Sequence, residues 1–255
     1  MGHKYVAVDK KGEIAFLILD RPPGNMLNQG LFTEVSQTLG ELDEEKDTRL
    51  IIVRGTGDNF CVGADVAEIT TLDKVGCRNF FLGLTRMYKT FHSIDKVTIA
   101  MVHGYATAGG MGIVSSCDLA VASEDAHFGF TAVNVGLFCM SGTAVMAPRV
   151  MGRKKALEMG LTGQILDAEK AERLGMVNIV CSREKLESTT MELAQKILSK
   201  NPISIVMGKR SFYTCADMEY DKALEYSAEI FGTLAATAEA KEGMRAFLEK
   251  RKPKW

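Results

Sequence analysis

The residues of this chain best suited to chemistry lie in His103–Gly112, HGYATAGGMG. A strand-like run, Thr98-Ile-Ala-Met-Val102, leads in, and an apolar segment of helical character, Met111-Gly-Ile-Val114, leads out. Gly109 and Gly110 let another molecule approach the backbone, and the first N–H groups of a helix have no intrahelical acceptor. Such donors, with the positive end of the helix dipole behind them, suit a carbonyl oxygen that is turning negative. A plain tight connection between strand and helix uses the same glycines. A second stretch, Asn59-Phe-Cys-Val-Gly-Ala-Asp-Val66, also follows a strand-like run, Leu50–Arg54, after a turn at Gly55-Thr-Gly57.

Other reactive residues are scattered. Six cysteines at 61, 77, 117, 139, 181 and 215 include no C-x-x-C pair and read as free, mostly buried thiols. His3, His92, His103 and His127 lack metal-ligand spacing, so no metal is expected. A net charge of -1 over 255 residues argues against non-specific binding to nucleic acid or anionic membrane. No apolar run approaches the roughly 18 residues of a spanning helix, and the N-terminus lacks a secretory core. The expected place is the cytoplasm, or the mitochondrial matrix if a leader has been removed.

Elements that could position these turns follow from periodicity. Tyr5–Val8 and Ile14–Leu19 read as strands joined by a turn at Asp9–Gly12. Leu27–Leu42 reads as helix, with Leu31, Val35, Leu39 and Leu42 on one face. A helical region reaches about Ser93, and Leu119–Ala122 and His127–Phe130 read as further strands. From Arg183 the pattern is wholly helical, with Asn201-Pro202 as a cap and first-turn proline. The reading is a layered α/β core over 1–195 and a helical region over 196–255. The late helices carry apolar stripes, such as Ala236, Ala240, Met244 and Phe247, with little sheet left to cover them.

FCVGADV and HGYATAGG, about forty residues apart, together resemble the crotonase (enoyl-CoA hydratase/isomerase) superfamily. Leu19–Asn28 is similar to its first CoA-binding loop, Ser116–Ala120 to its third-strand entry, Asn134–Leu137 with Gly142 to its active-site wall, and Gly243–Pro253 to its closing helix. The resemblance spans essentially the whole chain. It implies a ββα spiral core with a C-terminal helical oligomerisation region forming homotrimers or hexamers. It also implies an acyl-CoA thioester as substrate, with CoA as part of it and no separate cofactor. The N–H groups of Ala64 and Gly109 would then form an oxyanion hole, with Asn25, Met26, Leu27, Asp65 and Val66 on the CoA side. The basic end, Lys250-Arg-Lys-Pro-Lys254, reads either as a solvated tail or, through Lys250, as a contact to CoA phosphates.

The same resemblance places two hydratase glutamates at positions that here are Gly112 and Ala132, and an isomerase carboxylate at Met140. No Asp or Glu stands between Asp125 and Glu158, so a small shift of alignment restores none. This pattern, with the N-V-G-L-F-C run, resembles the enoyl-CoA hydratase domain-containing subgroup. Substitutes would be Cys139 as acid or nucleophile if its pKa were lowered, or Asn134 orienting a water. Glu68, Asp118, His103, His127 and Ser141 each have a plainer structural reading. Met26, Met87, Phe130, Leu137, Phe138 and Met140 would line an apolar pocket. An oxyanion hole without a base fits three functions: a family protein that stabilises a thioester enolate, an acyl-CoA decarboxylase or thioesterase, and a non-catalytic acyl-CoA-binding protein.

Overall fold

The computed structural model describes residues 3–255. β1 (Val6–Lys11) and β2 (Ile14–Leu19) form an antiparallel hairpin, turning at Gly12, where φ is +60°. After β2 come α1 (Gln29–Glu44), β3 (Leu50–Gly55), the short α2 (Val66–Ile69), α3 (Lys74–Ser93) and β4 (Val97–Val102). Then follow β5 (Tyr105–Thr107), α4 (Gly109–Ser116), β6 (Leu119–Ser123) and β7 (His127–Gly129). A 3-10 turn (Thr131–Val135) leads to α5 (Gly142–Met151), α6 (Arg153–Thr162), β8 (Ile165–Asp167), α7 (Ala168–Arg173) and β9 (Ile179–Cys181). The chain finishes in α8 (Leu186–Leu198), α9 (Pro202–Ala216), α10 (Tyr220–Ala236) and α11 (Ala238–Leu248).

The main sheet has the order β1-β2-β3-β4-β6-β9, parallel from β2 onward, and a smaller sheet has the order β5-β7-β8. β2 and β4 are buried along their whole length, as strands covered on both faces must be. Alternate residues feed separate layers. Ala15, Leu17, Leu19, Ile51, Val53, Ala100 and Val102 join the larger core with α1, α3 and α4. Ile14, Phe16, Ile18, Leu50, Ile52, Ile99 and Met101 meet Leu186, Ala194 and Leu198 of α8 on the other face. Residues 195 and 196, where the sequence divides core from helical region, both lie within α8.

The elements between Gly142 and Cys181 are not read from periodicity, and two others near the turns differ from it. α1 starts at Gln29, capped by the Asn28 side chain accepting from the Leu31 N–H. Leu27 is outside it because its backbone bridges to Ala64. β5, absent from the reading, forms because Tyr105–Thr107 pairs in parallel with His127–Gly129. Asn201 and Pro202 cap α9 as their types require. α9 is tied to the core through Asp118, which accepts from Tyr213 Oη at 2.8 Å and pairs with Lys209 Nζ at 2.8 Å. α10 buries none of its residues, and Phe231 is 71% exposed. The basic end is exposed to solvent, as a solvated tail would be, and is also tied to α11: Arg251 grips the Glu242 carboxylate at 2.6 and 2.9 Å, and the Lys254 N–H donates to it.

Candidate active site

Past β3, residues 59–65 run between two partners. On one side Phe60 N donates to His103 O, Cys61 N to Tyr105 O and Thr107 N to Cys61 O, each at 3.0 Å. On the other, Leu27 N donates to Gly63 O at 2.8 Å and Asp65 N to Leu27 O at 3.0 Å. This pattern spends the Gly63 carbonyl and the Asp65 N–H on either side and skips the Ala64 N–H. The HGYATAGG turn lies against it. Gly110 packs so closely on the Cys61 carbonyl that no side chain fits there. A Cβ on Gly63 would stand 3.4 Å from Gly109 N, and one on Gly109 would stand 3.5 Å from Ala64 N. The two amides therefore sit at the same junction. Among the described residues, neither the Ala64 nor the Gly109 N–H donates to an acceptor within the chain.

Ala108, just before Gly109, has φ +47° and ψ -113°, a conformation that favours glycine and costs about 1–3 kcal/mol elsewhere. It is held there by its N–H to Gly129 O at 2.8 Å and by its carbonyl, which accepts from Gly112 N and Thr143 Oγ1. Strain of this kind persists only where the surrounding structure over-determines it, and such positions cluster at functional sites.

The loop from Arg21 to Leu27 is equally determined. Asn25, fully buried with φ +49°, donates from its amide to the carbonyls of Thr56, Asn59 and Phe60 and accepts from Arg21 N. Arg21 donates to Met26 O at 2.9 Å and to Asp65 Oδ2 at 2.6 Å, clasping loop and turn together. Burial would raise the Asp65 carboxyl, but the Glu68 N–H and the Arg21 guanidinium outweigh it and hold it below its ordinary 3.8. Asn25, Met26, Leu27, Ala64, Asp65 and Gly109 are thus one assembly. Val66 follows at the exposed start of α2, 41% accessible. Lys250, past α11, makes no hydrogen bond to these turns among the described residues; its N–H goes to Phe247 O.

A residue not singled out by the sequence occupies the space beside Gly112. A Cβ on Gly112 would lie 2.5 Å from Cζ and Oη of Tyr88, a residue of α3. A Cβ on Gly142 would meet the other edge of the same ring, 2.5 Å from Cδ2. Tyr88 is 4% exposed, and its hydroxyl donates to the Gly109 carbonyl at 2.9 Å. Burial raises this phenol well above 10, helped by the neighbouring Cys61 and Cys139 thiols, so it stays protonated. The available signal was a glycine inside an apolar helix, which asks what presses on it.

The proposed substitutes separate. Cys139 is buried, and burial raises its pKa against the opposing Ala132 peptide, the reverse of what a nucleophile needs. Asn134 is exposed, with its amide over Gly163 at the end of α6. Met140 is 68% exposed, whereas Met87 is fully buried in the larger core. Glu68 accepts from Gln29 N at the start of α1. Asp118 accepts from Thr98 N and Oγ1 besides its ties to α9. His103 bonds Gly57 O at 3.0 Å and is kept neutral by burial, while His127 stacks on Tyr105. Ser141 Oγ is bonded to Thr85 Oγ1.

Residues 9–255 match the family model described as enoyl-CoA hydratase/isomerase. The chain is 31% identical over 249 residues to a short-chain-enoyl-CoA hydratase of Clostridium acetobutylicum, covering 97% of this chain and 95% of that one. It superposes on the crystal structure of enoyl-CoA hydratase from Mycobacterium smegmatis with a TM-score of 0.96 at 32% identity, covering 99% of each chain. Human enoyl Coenzyme A hydratase domain-containing protein 3 aligns with a TM-score of 0.92 at 30% identity, over 99% of this chain and 100% of the other.

Proposed function

The chain belongs to the enoyl-CoA hydratase/isomerase family, and from that premise we propose that it binds an acyl-CoA thioester and stabilises the enolate form of its acyl group. The observation that carries this reading is the pair of unspent amides at Ala64 and Gly109, meeting where the two turns touch. Donors fixed before charge develops act most strongly where water is excluded. In this reading Met26 is the loop residue accessible to the CoA portion of the substrate, Asn25 and Leu27 being buried beneath it, and Arg21–Asp65 keeps that loop against the oxyanion turn.

Hydration needs a base for water and an acid for Cα, each worth about 10²–10⁴ in rate. Gly112 and Ala132 supply neither. Loss of CO₂ from a malonyl-type thioester generates the enolate without a base, so the absence of a carboxylate at these positions favours decarboxylation as the second reading. A binding protein without turnover is the third.

Assembly as a homotrimer or hexamer through the late helices belongs to the same proposal. It is supported by Phe212, Phe231 and Phe247, which are 72%, 71% and 82% exposed on α9, α10 and α11. No helix among the described residues is long and apolar enough to cross a membrane, and a cytoplasmic or matrix setting is proposed with it.

Incubation with a mixed acyl-CoA library, followed by mass analysis of retained and new species, tests the reading. Retention of thioesters supports it, loss of CO₂ or release of free CoA selects the reaction, and no retention at all overturns it.

A further inference from the structure

Gly109 carries no side chain, so sequence alone leaves the peptides on both sides of its Cα, including the one that presents its N–H, free to turn. The structure closes that freedom from a distance. The Ala108 N–H is fixed on Gly129 O, and the Gly109 carbonyl receives the Tyr88 hydroxyl at 2.9 Å. The Ala108–Gly109 segment is thus clamped at both ends, with the Gly109 N–H between them left over. The Tyr88 ring meanwhile wedges between the N-terminal turns of α4 and α5, against Cα of Gly112 and of Gly142. Neither glycine has positive φ, so the ring, not the backbone conformation, excludes a side chain at both.

We propose that Tyr88 is the positioning residue of this thioester site, its hydroxyl fixing the Gly109–Gly110 peptide that follows the free Gly109 N–H and its ring taking the space an acidic side chain at 112 would need. Tyr88 does not act as a proton donor to substrate, because its proton is engaged by Gly109 O and the ring is buried. The role is preorganisation: the amide is aimed before the oxygen gains charge. It rests on the acyl-CoA reading given above.

The test compares CoA with acetoacetyl-CoA, whose readily formed enolate places negative charge on the thioester oxygen and absorbs in the near ultraviolet. Calorimetric Kd values for both ligands and the enolate band are recorded for the wild type and for Tyr88→Phe, which keeps the ring. The expected result is a weakening of acetoacetyl-CoA by about five- to tenfold, the size of one hydrogen bond, with CoA unchanged and the enolate band reduced. A merely structural hydroxyl would lower the melting temperature and leave the ratio of the two Kd values and the band unchanged, which overturns the proposal. Wild-type protein that binds neither ligand, or both equally, overturns the thioester reading itself, and this role falls with it.

Discussion

Tyr88 and Gly112 compete for one volume: the phenol oxygen stands 2.5 Å from where a Cβ at 112 would be. The incompatibility extends to any residue larger than glycine. Gly112→Ala is expected to destabilise the fold by about 1–3 kcal/mol through overpacking. In Tyr88→Leu the same substitution should cost markedly less. Thermal or urea unfolding of the four proteins of this cycle checks it, and strict additivity would contradict the packing described.

Hydration of crotonyl-CoA should be slower than in glutamate-bearing hydratases by about 10²–10⁴ for each absent acid. Gly112→Glu alone should not recover it, because Tyr88 occupies the space. Loss of enoyl absorbance measures the rate. Wild-type turnover comparable with those enzymes would contradict the prediction.

The Arg21–Asp65 pair gives stability a pH dependence of defined sign. The Asp65 pKa is depressed in the folded state, so its contribution is present above 3.8 and is lost as pH falls through the folded value. Wild type should therefore lose more stability on going from neutral pH to below 3.8 than Asp65→Asn does, the variant being the less stable at neutral pH. Melting curves across that range decide it; parallel losses would contradict the ion pair.

Thiol accessibility should divide the cysteines. Burial pushes Cys61 up to about 12 and raises Cys117 and Cys139 as well. Under native conditions at pH 8, labelling is expected at Cys77, Cys181 and Cys215, which are less buried, and at the other three only after unfolding. Rapid native alkylation of Cys139, located by mass spectrometry, would restore it as a nucleophile.

The exposed aromatic face of the late helices makes a further prediction. Phe231→Asp should shift the protein toward monomer in sedimentation velocity without unfolding it, since Phe231 contributes little to the subunit core. An unchanged sedimentation profile would remove α10 from the contact.

Much of the fold was legible because local chemistry and tertiary demand agree. Ile14–Leu19 is apolar on both faces, and Asn201-Pro202 can hardly be anything but a helix start. Gly109 and Gly110 marked, for the same reason, the turn that packs closely on residues 61–64. Leu27 misled: it fits the apolar stripe of α1, yet its backbone is spent on Gly63 and Asp65, a contact set by residues far along the chain. Tyr88 was illegible on its own. It shares a stripe with Phe80, Leu84, Met87 and Phe91 and reads as ordinary core, and only the two distant glycines in contact with it reveal its position. Asn134 and Cys139 were chosen for their side-chain chemistry, but exposure and burial place them in settings that chemistry alone does not show.

The proposed convergence of two amides on one oxygen is tested most directly by a crystal structure of the protein with acetoacetyl-CoA. The predicted result is a thioester oxygen about 2.7–3.1 Å from both Ala64 N and Gly109 N. A ligand bound with that oxygen turned to solvent, or held by only one of the two, would contradict the account.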